Sequence, residues 1–140
     1  VPSDNDWTIL EEYLINSGYN YDGSYDGTTS SCPPNWPLGA SCNKLAKAMA
    51  SDSGWQVETD YGDAGWDQTS NNSSGFNAIP VGYRYQSGFG GESTRTGFWS
   101  TTTSSQQGYA FYRYLFSGYS FLQRDVNLFS HGHSVRLVKD

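Results

Sequence analysis

Two histidines flank a glycine at His131-Gly132-His133, a spacing that turns both rings to one side of a strand, as a metal pair would require. A transition metal needs at least one further protein ligand with its own supporting hydrogen bonds, and Asp125 is the candidate. A turn histidine followed by a strand histidine is the favoured reading. Oxygen donors form two other groups: Asp60, Asp63 and Asp67 with Asn71 and Asn72, and Asp22 with Asp26. Calcium takes about six to eight such oxygens, so it is the one cofactor these donors suggest. No glutamate closes a 12-residue calcium loop, and Asp and Asn are also ordinary turn formers, which is the default here. Glu58 and Glu92 are the acids that a glycosidase pair would draw on, but that chemistry needs a set separation across a cleft, and spacing along the chain supplies none. Cys32 and Cys42 bracket a proline-stiffened loop, and a local disulfide is expected to close it. Such a bridge would contribute about 3 kcal/mol and would imply an oxidising compartment.

The elements that position these groups begin with a helix over residues 4–16. Ser3 and Asp6 stand at capping-box spacing, and Trp7, Leu10 and Leu14 recur at three- and four-residue steps, with Ile9 and Tyr13 widening the stripe. The duplicated Tyr21-Asp22-Gly23 and Tyr25-Asp26-Gly27 mark turns. Residues 41–52 predict a second, shorter helix with Leu45, Ala48 and Met49 inward and Lys44 and Lys47 outward. Residues 56–75 keep no period and predict a long structured loop, a kind of segment that is often functional. Short strands are expected at 81–85, 96–101, 109–116, 120–126 and 133–138. In the third, Ala110, Tyr112, Tyr114 and Phe116 share one face and Phe111, Arg113 and Leu115 the other. Helices followed by an antiparallel meander indicate an α+β domain.

Composition narrows the function. The 140 residues carry a net charge of −6, with only 8 Lys and Arg, which argues against nucleic acid as the main partner. Aromatic residues make up 16%, which argues against disorder. No apolar run reaches membrane-span length, so no membrane insertion is expected. Few lysines and many Tyr, Gly, Ser, Thr and Asn suit an exported protein, secreted or at a cell surface. The start at Val1-Pro2-Ser3-Asp4 has no signal-peptide character, as in a mature or trimmed piece.

Motifs across the chain resemble the Fibrobacter succinogenes major paralogous domain family. They include Val1-Pro2-Ser3-Asp4 with Trp7, Tyr13-Leu14-Ile15, Gly18-Tyr19-Asn20-Tyr21-Asp22-Gly23, Asn43-Lys44-Leu45-Ala46-Lys47 and Ser53-Gly54-Trp55. They continue through residues 71–80, Gly82-Tyr83-Arg84, Phe98-Trp99-Ser100, Tyr112-Arg113-Tyr114-Leu115 and residues 132–138. The resemblance implies a C-type-lectin-like fold similar to formylglycine-generating enzymes: two helices packed on a small twisted antiparallel sheet, with long loops. It implies one domain over 1–140 that lacks the strand expected before Val1, so that a preceding segment, a strand donor or a neighbouring subunit would complete an edge at 133–138. The formylglycine-generating activity is not carried over, because both cysteines lie early, in an insert. His133 also departs from the family, which usually has an aromatic residue there.

By the same resemblance, contacts concentrate on late strands and loops. Face and loop arguments single out Trp66, Glu92, Arg95, Gln107, Tyr109, Phe111, Arg113, Tyr119, Arg124 and Asn127 as candidate ligand contacts. Aromatic rings there would stack on sugar faces or fill protein pockets, and Arg and Asn would add directional bonds. The expectation is a non-catalytic binding module for a glycan or protein ligand at a bacterial cell surface. Its rivals are a structural subunit of a surface assembly completed by strand addition, and a degenerate enzyme using Glu58 or Glu92.

Overall fold

The computed structural model describes residues 1–29 and 42–138, so Cys32, and with it the expected Cys32–Cys42 bridge, lies outside the described residues. Helix α1 runs Asp4–Asn16. It begins where the Ser3 hydroxyl accepts from the Asp6 amide and the Asp6 carboxylate accepts from the Ser3 amide, so two otherwise orphaned donors are satisfied reciprocally. Its inner face carries Trp7, Leu14 and Ile15, but also the fully buried Glu11, while Ile9 and Tyr13 face solvent. The expected apolar stripe is therefore rotated towards Glu11.

The expected second helix is cut to four residues, α2 at Ala46–Met49. The reason is competition for carbonyls. The amides of Asn72, Ser74 and Ala78 take the carbonyls of Lys47, Ala48 and Met49, and the Ala46 amide donates to Ser120. A helix through residue 52 would need the Lys47 and Ala48 carbonyls for its own ladder. The picture of two helices on a twisted sheet is thus corrected, and with it the C-type-lectin-like arrangement. The described chain is mostly a curled five-stranded sheet with one long helix.

The sheet has the order β2-β1-β3-β4-β5, from β1 Val81–Tyr85, β2 Gly88–Glu92, β3 Arg95–Thr103, β4 Tyr109–Phe116 and β5 Gln123–Leu128. β1 and β3 are parallel and meet only at Gly82 and Thr96, so the sheet is not wholly antiparallel. They then part, and the expected strand at 133–138 reduces to a short wedge between them. Gly132 exchanges amide bonds with Arg84, the Ser134 amide donates to Gly97, and the Ser134 carbonyl accepts from Trp99. Further along β3, the Thr101 amide donates to Pro2. Beyond the wedge, Arg136 lies 4.2 Å from the Phe76 ring centroid and donates to the Phe76 carbonyl, while Val135 and Leu137 are exposed.

At the other margin, the β5 amides of Val126 and Leu128 receive the side-chain oxygens of Asp125 and Asn127, which blunts that edge. The main core lies beneath the sheet, where Trp7 meets Phe76 and Phe98, each at 5.9 Å between ring centroids, alongside Leu45, Met49, Trp55, Leu115 and Leu122.

Candidate ligand-binding cleft

A lysine organises each of the two oxygen clusters in which a calcium ion was considered. Lys44 Nζ sits 2.6 Å from Asp22 and 3.3 Å from Asp26, bridging the two Asp-Gly turns. Burial pushes the Asp22 carboxyl up, but the bonds from Lys44 and Ser24 win and hold it at about 2. Lys47, expected to face outward, is instead buried, and its Nζ donates to the Trp66 carbonyl (2.5 Å), the Asp67 carbonyl (3.1 Å) and Asn71 Oδ1 (2.8 Å). Asn71 completes the knot by donating to Ser51 and Ala64, and Asn72 Oδ1 accepts from the Asn77 amide. The ammonium thus holds the long loop at a place where an ion was the alternative. Among the described residues, no group of three or more His, Cys, Asp or Glu side chains is arranged to hold a metal. Burial lowers the Lys47 pKa, against the pull of Asp67 and Asp63.

That knot presents one wall of a cleft of about 560 Å³, lined by residues from the end of α1, the first Asp-Gly turn, α2 and the long loop. Three rings dominate it. Tyr21 and Tyr61 meet edge to face with centroids 5.2 Å apart, and Tyr61 meets Trp66 in the same way at 4.8 Å. The Lys47 ammonium lies 5.0 Å from the Trp66 ring centroid, fixing that indole from behind. Gly62 permits the arrangement: its φ is +95°, and a β-carbon there would fall 2.4 Å from the Tyr21 ring. Tyr61 is 63% exposed, so its ring is available to a ligand. Around the rings stand the side chains of Ser17, Asn20, Asp67, Ser70 and Ser73, with neither a histidine nor a cysteine among them. Asp63 lies just outside this lining, in the turn between Tyr61 and Trp66. Burial, then Asp60 and Glu58, push its carboxyl up to about 7 despite Lys47.

The ten expected contact residues do not converge. Trp66 alone lines the cleft. Arg95 belongs to an aromatic belt on the sheet face opposite α1, which Tyr119 extends in the β4–β5 turn, where it stacks on Phe121 at 4.8 Å. Asn127 Nδ2 donates to His133 Nε2, whose ring stacks on Tyr112 at 4.5 Å and on Tyr83 at 5.6 Å. His133 is therefore a packed aromatic rather than half of a metal pair, and burial, then His131 and Arg95, lower its pKa to about 4. Phe111 carries the Arg124 guanidinium over its ring at 4.0 Å, and Arg124 pairs with Asp4 at 2.7 Å.

Arg113 is the clear correction. It has no exposed surface, and its guanidinium bonds Glu11 and Asp4 on α1, so it offers a ligand nothing. Burial pushes the Glu11 carboxyl up to about 7 against that guanidinium, and its Oε2 has no partner. Tyr109 is partly buried at the start of β4, while Gln107 and Glu92 are exposed, at the β3–β4 turn and at the end of β2. Glu58 accepts from Ser117 and Gln56, and neither Glu58 nor Glu92 lines the cleft. Sequence reasoning missed Tyr21, Tyr61 and Lys47. The repeated Tyr-Asp-Gly was the one available signal for the first of these.

No curated protein and no solved structure matches this chain. The model of the Fibrobacter succinogenes major domain matches residues 1–139. With nearly its whole length accounted for in this way, the chain belongs to the Fibrobacter succinogenes major domain family.

Proposed function

We propose that the chain is an exported, non-catalytic binding module whose cleft takes the end of a short, neutral glycan at a bacterial cell surface. The observation that carries this reading is the set of three rings, Tyr21, Tyr61 and Trp66, bordered by hydroxyl and amide side chains in one cleft. Ring faces cover the C–H faces of a pyranose, and Ser70, Ser73 and Asp67 supply the directional bonds that hydroxyl groups need. The volume falls within the roughly 300–1,000 Å³ typical of small-molecule sites. Successive rings stand edge to face rather than coplanar, which suits a chain end entering a cleft better than a flat polymer surface. Selectivity for neutral sugars fits the net charge of −6 and the engagement of Lys47 within the loop.

A glycan array followed by calorimetry tests this. Trp66→Ala and Tyr61→Ala are each expected to weaken binding about fivefold or more, from a ring contact of about 1 kcal/mol or more, with a chelator making no difference. Unchanged affinity in both folded variants, or no glycan bound at all, refutes the reading. Binding only to a protein partner moves it to that class.

A further inference from the structure

Arg95 opens β3 and lies on the aromatic belt, away from the cleft. Its guanidinium stands 4.7 Å from the Tyr114 ring centroid, 5.5 Å from Phe116 and 5.6 Å from Tyr83. Most other cations described here have oxygen partners. Lys44, Arg113 and Arg124 meet carboxylates, Lys47 meets carbonyls and Asn71, and Arg136 meets the Phe76 carbonyl. Among the described residues, no carboxylate, carbonyl or hydroxyl accepts from the Arg95 guanidinium. Ring contacts do not use the N–H donors of a guanidinium, and this side chain is partly exposed, so its donors stay open to a ligand.

We propose that Arg95 and the surrounding rings form a second ligand site, one that takes the carboxylate of an acidic sugar residue of the uronic acid class. Three rings restrict the side chain before any ligand arrives, so little rotamer freedom remains to be lost. A guanidinium presents a planar fork of donors that matches a carboxylate bidentately. Asp125 accepts from the amide of Val126, and among the described residues neither it nor Glu92 forms an ion pair with Arg95. Phe116, Tyr119 and Phe121 continue from Arg95 as a strip of partly exposed rings with centroids 5.0 and 4.8 Å apart, the kind of surface a pyranose C–H face covers. Phe116 ends β4, and Tyr119 and Phe121 stand in the turn that leads to β5, so the strip offers ring faces rather than the free strand edge with which an extended peptide pairs, which favours the sugar over a peptide carboxylate. One cation in a chain of net charge −6 suits a single acidic unit rather than a polyanion.

The test is an NMR titration of the full chain, following the Arg95 Nε–H signal, with glucuronic and galacturonic acid disaccharides. Cellobiose, acetate and a free-carboxylate dipeptide serve as controls. The uronates are expected to shift that signal and to bind at least tenfold more tightly than any control. Arg95→Gln is expected to remove binding, and Arg95→Lys to weaken it despite keeping the charge, with both variants checked for an intact fold. Trp66→Ala leaves this site unchanged, which separates it from the cleft. An unmoved Arg95 signal, equal binding of cellobiose or acetate, preference for the dipeptide, or full affinity in Arg95→Gln each overturns the proposal.

Discussion

Replacing Lys47 with Met keeps the apolar stem against Trp66 and removes only the ammonium. That group donates to two carbonyls, of Trp66 and Asp67, and to the buried Asn71 oxygen. A hydrogen bond from a charged donor contributes about 1.5–3 kcal/mol, and a buried acceptor left bare costs about 1–3 kcal/mol. The two loop carbonyls can turn to water, whereas Asn71 cannot, because its amide is anchored to Ser51 and Ala64. Release of the ammonium's own burial penalty offsets part of the loss, as its lowered pKa indicates. The net is a destabilisation of about 2–4 kcal/mol, or a fall in Tm of roughly 6–12 °C for a chain of this size. Urea unfolding followed by tryptophan fluorescence measures it, and the cleft should lose affinity together with stability. A loss below about 1 kcal/mol with the cleft still binding would refute the view that this cation organises the loop.

Two further outcomes follow from buried charge. Arg113→Met leaves the buried Glu11 carboxyl without its cation, while Asp4 keeps Arg124, and should cost about 3–5 kcal/mol; adding Glu11→Leu should restore much of it, as a double-mutant cycle in urea would show. His133 has a folded pKa of about 4, below its unfolded value near 6.5, so the unfolded chain binds more protons between those limits. Its contribution is therefore present above about pH 6.5 and is lost as the pH falls towards 4. Because the ring is partly exposed, the loss is discounted to about 2 kcal/mol. His133→Phe should flatten the stability profile in that window, and an unchanged slope would count against the packed, neutral ring.

Local signals were legible and distant ones were not. The bounds of helix α1 could be read because its cap, Ser3 with Asp6, lies within one segment, whereas its inner face turns on the distant partner of Glu11. The β4 alternation could be read for the same reason, with Tyr112 and Tyr114 on one face and Arg113 on the other. Helix α2 was overestimated because its carbonyls are claimed by amides about 25–29 residues away, which no propensity records. β2 went unseen because Gly88, Gly90 and Gly91 erase the alternation that marks a strand. Helix periodicity turns Lys47 outward and strand and loop arguments offer Arg113 to a ligand, but the burial of both depends on partners as far as 24 and 109 residues away. The cleft shares this origin, since Tyr21 and Trp66, 45 residues apart, both meet Tyr61 in loops that Lys44 and Lys47 tie down.

Pro2 and Ser134 bond to β3 at Thr101 and at Gly97 and Trp99, a separation of only a few residues along one seam. At about 3.3 Å per strand residue, the attachment points are less than 15 Å apart. Polypeptide joined upstream and polypeptide joined downstream would therefore emerge as neighbours on one side of the molecule. Tension between two such tethers would first peel that seam open, like a zip, before it strained the tryptophan-filled interior.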